Sequence, residues 1–156
     1  MDDADPRAVR SLAVTTGDVV AAYEARQRSP RKPVLRVTPP FSARMRARLH
    51  DPDAAESGTG TDPVGDRDPA TGALHLPPER FLDTDAIPAS PSPDDTEDAI
   101  RSDPDAEFSV ERHRERHVEA VKEWRETVRE TIERAVVVRL DDGERHRVEV
   151  KTLGGG

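Results

Sequence analysis

The chain has 156 residues, of which 33% are hydrophobic and 3% aromatic, and its formal net charge is −8. It has no cysteine, which excludes disulfides, thiolate metal sites and cysteine nucleophiles. No stretch approaches the roughly 18 apolar residues of a membrane span, and the acidic start MDDADPRAVR lacks the apolar run of a signal peptide. The chain therefore reads as one soluble, cytoplasmic domain over 1–156.

In chain order, SLAVTT (11–16) reads as a short strand. Thr15 followed by Asp18 resembles a capping box and opens a helix over 17–28, which Ser29-Pro30 ends. PVLRV supplies a strand at 34–38, and Pro39-Pro40 turns the chain. Across 41–50, Phe41, Ala43, Met45, Ala47 and Leu49 alternate with Ser42, Arg44, Arg46, Arg48 and His50. Period two argues for a strand over 42–50, although Ala, Arg, Met and Leu are helix formers and Phe41, Met45 and Leu49 also fit a helical spacing. The strand is preferred because periodicity outranks propensity.

Residues 51–72 and 88–107, acidic and rich in proline, read as flexible segments. Between them, ALHLPPERFL (73–82) reads as a short strand running into a helical turn. The clearest helix is 109–134, capped by Ser109, with a stripe of Val110, His117, Val121, Trp124, Val128 and Ile132 continuing to Ala135. The chain ends in a hairpin. A three-residue Asp141-Asp142-Gly143 loop sets Val136 opposite Val148 and Val138 opposite His146, gathering most of the apolar residues on one face. Residues 154–156 read as a flexible glycine tail. The expected architecture is α+β: a small antiparallel sheet from 34–38, 42–50, 73–76 and the hairpin, packed on one long and one short helix, with acidic disordered loops. Trp124, Val121, Val128, Leu35, Val37, Met45, Leu49 and Val138 are its expected core.

Charge divides the chain unevenly: −3 over 1–24, +8 over 25–50, −13 over 51–107 and zero over 108–156. The second block holds eight Lys or Arg and no acid. Alternate residues of a strand stand about 6.6 Å apart, so Arg44, Arg46 and Arg48 would form a comb of guanidiniums, groups that bind phosphate bidentately. Arg31, Lys32 and Arg36 extend it. The expected role is non-catalytic contact with nucleic acid; the alternative is a protein-interaction or assembly module, a homo-oligomer or adaptor, that uses the same face or the 109–134 helix. At molar salt the Debye length is only about 3 Å, so attraction to phosphate alone is a weak grip there.

Other constellations are bland. His113 and His117 share a helix face at i, i+4 and are weak metal candidates, but HRERH lacks the HExxH order of a metalloprotease. The acid runs lack calcium-loop spacing. No nucleophile elbow or P-loop occurs, so neither an enzyme nor a cofactor is expected.

Three stretches, VLRVTPPFSARMRARLH, LHLPPERFL and ERHRERHVEAVKEWRETV, resemble a family of small haloarchaeal proteins known as a domain of unknown function. The composition is similar to that of salt-in haloarchaeal proteins, with 32 acids and only Lys32, Lys122 and Lys151 as lysines. The resemblance implies a domain origin and carries no activity or site.

Overall fold

The computed structural model describes residues 5–51 and 65–154. They fall into two compact units, the first drawn from 1–83 and 132–156 and the second from 84–131. The protein is α+β. None of its described helices is long and apolar enough to cross a membrane.

Among the described residues, the first unit contains seven strands and one α-helix. Strand β1 (Ser11–Thr15) alternates, with Leu12 and Val14 completely buried. Thr15 caps helix α1 (Thr16–Arg28) by accepting a 3.1 Å hydrogen bond from the Asp18 amide. Ser29 closes that helix through its amide and its hydroxyl, both donating to Ala25 O. Strand β2 (Val34–Val37), the short strands β3 (Arg44–Arg46) and β4 (Arg48–His50), and β5 (Leu74–Leu76) follow. The turn after β5 is 3-10 over Pro78–Phe81 and buries Phe81. The hairpin is β6 (Ala135–Arg139) and β7 (Arg145–Leu153), with Val136 opposite Val148 and Val138 opposite His146, as the apolar pattern requires. Gly143, at φ 85°, makes the tight turn.

These strands form two sheets rather than one antiparallel sheet: a four-stranded sheet in the order β3-β1-β7-β6, and a three-stranded sheet in the order β4-β2-β5. The second is antiparallel throughout. In the first, β1 is an interior strand, parallel to both β3 and β7. Helix α1 lies between β1 and β3 in the chain and returns it for a parallel pairing. A five-residue alternating strand looks the same in sequence whether it sits at an edge or between two neighbours. The sequence expectation therefore left β1 out of the sheet.

The 42–50 segment is extended, as its period predicts, but it divides at Ala47. That residue is fully buried and its amide donates to Ala13 O at 2.9 Å, after which the chain leaves β1 and pairs with β2. One strand thus serves both sheets. The bend costs the expected apolar back its burial: Met45 is half buried and Leu49 is 42% exposed, so neither is core. Leu35, Val37 and Val138 are fully buried or nearly so.

The acidic segments also differ from expectation. Residues 52–64 lie outside the described residues, and so does the 155–156 part of the tail. Asp66, placed by its composition in a flexible loop, is a buried carboxylate. Its amide donates to Arg139 O (3.0 Å), its Oδ2 accepts from the Arg139 amide (2.6 Å) and its carbonyl accepts from the His75 amide (2.8 Å). Asp66 also pairs with Arg80. One acid therefore ties β6 to β5, a role no charge count reveals.

The second unit is a helical hairpin. Within the expected flexible 88–107 lies helix α2 (Pro93–Ser102), started by a Ser92–Asp95 capping box, with Pro93 in its first turn. Asp94 and Asp95 sit where the helix dipole favours negative charge, and Ile100 is buried. Helix α3 (Val110–Glu130) is capped by Ser109 and buries Val121, Trp124 and Val128, as the stripe predicts, whereas Val110 at the head of that stripe is exposed. It stops short of the predicted 134, because Thr131 turns away with its hydroxyl donating to Val128 O and the β-branched run from Val136 belongs to β6.

Candidate nucleic-acid interface

Strand register determines which side chains share a face of the four-stranded sheet. Its buried face carries Leu12, Val14, Val136, Val138, Val148 and Val150. The opposite face follows from the pairings Ser11 with Arg44 and Glu149, Ala13 with Arg46 and Lys151, Val137 with Arg147, and Arg139 with Arg145. It therefore presents Arg44, Arg46, Arg139, Arg145, Arg147 and Lys151, all exposed, and of its strand residues only Glu149 is acidic.

The arrangement has a shape. Ser11 and Ala13 on β1 floor a trough between Arg44 and Arg46 on one side and Glu149 and Lys151 on the other. Two strand spacings set its walls about 9.6 Å apart at the backbone, with Arg44 and Arg46 about 6.6 Å apart along one wall and Glu149 interrupting the cations of the other. Beyond it, Arg145, Arg147 and Arg139 continue the positive surface toward β6. A depression at that edge is lined by Ile132, Glu133, Arg134, Ala135, Val137 and Arg147.

Among the described residues this charge is unpaired. Among the described residues, ion pairs engage Arg7, Arg26, Arg28, Arg31, Arg67, Arg80, Arg101 and Arg116, but none engages the six cations of this face. Arg7, which binds Asp142 and Glu144 at the hairpin turn, shows what pairing does. Hydrogen bonds to those carboxylates raise its pKa, and the Asp142 carboxyl is held below its ordinary value by the Glu144 amide and by Arg7, against a smaller opposing effect of burial.

The comb expected from sequence is thus cut in two. Arg44 and Arg46 belong to the open face of the four-stranded sheet, while Arg48 and Arg36 face each other on the three-stranded sheet. Arg31 pairs with Asp51 at 3.2 Å, and Lys32 is exposed. Arg139, Arg145, Arg147 and Lys151 escaped the sequence reading because 108–156 sums to zero charge. The signal was present in β7, where Arg145, Arg147, Glu149 and Lys151 alternate with buried Val148 and Val150.

Both helix histidines have structural partners. His113 Nε2 donates to Pro93 O at 2.8 Å, and His117 Nδ1 is 3.0 Å from Thr96 Oγ1, so the pair fastens α3 to α2. His146 Nε2 similarly donates to Val9 O. Among the described residues no three His, Asp or Glu side chains gather as metal ligands.

A family model described as Domain of unknown function (DUF8009) matches residues 1–154. The chain belongs to the DUF8009 family. No curated protein and no solved structure matches it. The family covers both units and the whole basic sheet face.

Proposed function

We propose that this DUF8009 protein is a non-catalytic nucleic-acid-binding protein that grips the phosphate backbone with the open face of its four-stranded sheet. One observation carries the reading. In a chain with 32 acids and 24 Lys or Arg, six cations share a face with one acid and make no ion pair among the described residues. Exposed charges of one sign repel each other, so such a face is favoured when something negative binds it. The face has no aromatic residue, which leaves bases without a stacking platform and points to contact with the backbone rather than sequence readout. The acidic composition and scarce lysine support a haloarchaeal, cytoplasmic setting, in which bidentate arginine contacts keep short-range strength when salt screens the rest.

The test is a binding series in KCl with single- and double-stranded oligonucleotides of random sequence. Binding should weaken steadily with salt and show little sequence preference. No binding at any salt from about 0.1 M upward removes the reading.

A second reading rests on a separate observation. Val110 and Val118 on α3 are 73% and 60% exposed, apolar residues two turns apart on a helix that is otherwise charged outside. They suit a protein contact, either with a partner or a second copy. Sedimentation in high salt tests it: a strict monomer with no co-purifying protein counts against an assembly role.

A further inference from the structure

Helix α3 presents two unlike surfaces, a groove that it shares with α2 and a ridge on another of its sides. The groove has a volume of about 320 Å³. Ala99, Ile100 and Ala120 form its apolar floor, and Asp95 of α2 with Glu119 and Glu123 of α3 make its walls. Two alanines at the seam leave room that larger apolar residues would fill.

The walls are acidic. Arg116 also lines the groove but pairs with Asp103 at 3.8 Å, whereas Glu119 and Glu123 join no ion pair among the described residues. Those two glutamates stand one turn apart, where like charges repel. Glu115, Glu126 and Glu130 share their side of the helix, and all five are exposed. The second unit as a whole holds 14 acids and 7 Lys or Arg. It therefore repels nucleic acid and attracts a cationic protein surface.

A groove between two helices suits a third helix, which satisfies its own backbone groups over an apolar floor. The floor asks that helix for apolar side chains, and the walls ask for cations beside them. Helix α3 itself carries such a row. Val110, Arg114, Val118 and Lys122 recur every fourth residue, which makes them one ridge of the helix. All four are exposed, the two valines at 73% and 60%. The ridge is about 18 Å long, and the groove runs along a helix of about 15 Å. With about 100° per residue, the ridge centres roughly 140° around α3 from Glu119 and Glu123, so no molecule reaches its own groove.

We propose that the Val110–Lys122 ridge of one copy seats in the α2–α3 groove of a second copy. Val118 covers the alanine floor, and Arg114 and Lys122 meet Asp95, Glu119 and Glu123. Ridge and groove are different surfaces, so the contact is heterologous and repeats from copy to copy. The proposal rests on the reading of Val110 and Val118 as a protein contact and adds the surface that receives them.

The test is sedimentation of the full chain across a concentration series up to about 1 mM. The average mass of wild type should rise with concentration past that of a dimer. Val118→Asp spoils the ridge and Ala99→Leu fills the groove, each at an exposed position, with circular dichroism checking that both variants fold. Each alone should weaken association about tenfold or more. Mixed one to one, they should form a dimer that grows no further, because one intact groove and one intact ridge remain. Full association of Ala99→Leu, or a mixture that stays monomeric, overturns the proposal. If Val118→Asp dissociates while Ala99→Leu does not, the valines still make a contact, but not with this groove. A wild type that stays monomeric at every concentration also overturns it and leaves the valines to a different protein.

Discussion

Changing Arg44 and Arg46 together to glutamine removes two of the six cations of the open sheet face and leaves the strand backbone intact. If each cation neutralises one phosphate, the slope of log K against log salt is about −4 for a single strand and −5 for a duplex. Losing two contacts reduces it to about −3 and −3.6. With wild type and variant converging near 1 M salt, affinity at 0.1 M should fall roughly 25-fold for single strands and 60-fold for duplexes. Fluorescence anisotropy across a KCl series measures both quantities. Both arginines are exposed, so thermal unfolding should shift by no more than about 2–3 °C. Arg114→Gln/Arg129→Gln, exposed positions on α3, imposes the same change in net charge away from the sheet. If that control loses as much affinity and slope, or if the sheet variant loses neither, the basic face is not the interface.

Other expected outcomes concern the scaffold. Asp66→Ala leaves Arg80 and the Arg139 amide without their shared acceptor and should cost about 3–5 kcal/mol in urea unfolding; a loss under 1 kcal/mol would show that Asp66 does not join the sheets. Gly65→Ala should be at least as damaging, because a Cβ there would lie 2.8 Å from Arg139 O on a backbone at φ +82°, and weak soluble expression with an early melt would show it. Ser92→Ala removes the capping box of α2 and should cost about 1 kcal/mol, read as faster amide exchange in α2 than in α3. Asp68 and Asp142 have lowered folded-state pKa values, so their stabilisation is present above the ordinary aspartate range and is lost as pH falls through the lower folded values. Denaturant midpoints should accordingly drop as pH falls below the ordinary aspartate range, and less so in Asp142→Asn.

Local chemistry was legible in the chain itself. Thr15 and Ser109 each cap a helix, Gly143 sets the hairpin turn, and alternation through Val136, Val138, Val148 and Val150 sets its register. Those features depend on neighbours a few residues away, which a linear reading sees. Composition misled where one residue acts on distant partners. Asp66 looked like one more solvated acid in a proline-rich run, and helix α2 was hidden by the same acids that complement its dipole.

By itself the sequence determined that 25–50 is a basic, partly extended segment, that a long helix buries Trp124, and that no thiol chemistry is available. Only the tertiary structure decided that this segment bends at Ala47 and gives its arginines to two sheets. It also decided that parallel pairing through β1 brings Arg44 and Arg46 onto the same face as Arg147 and Lys151, a hundred residues away. The physical reason is that strand pairing is set by long-range backbone hydrogen bonds and burial, while charge along a chain carries no record of which faces will meet.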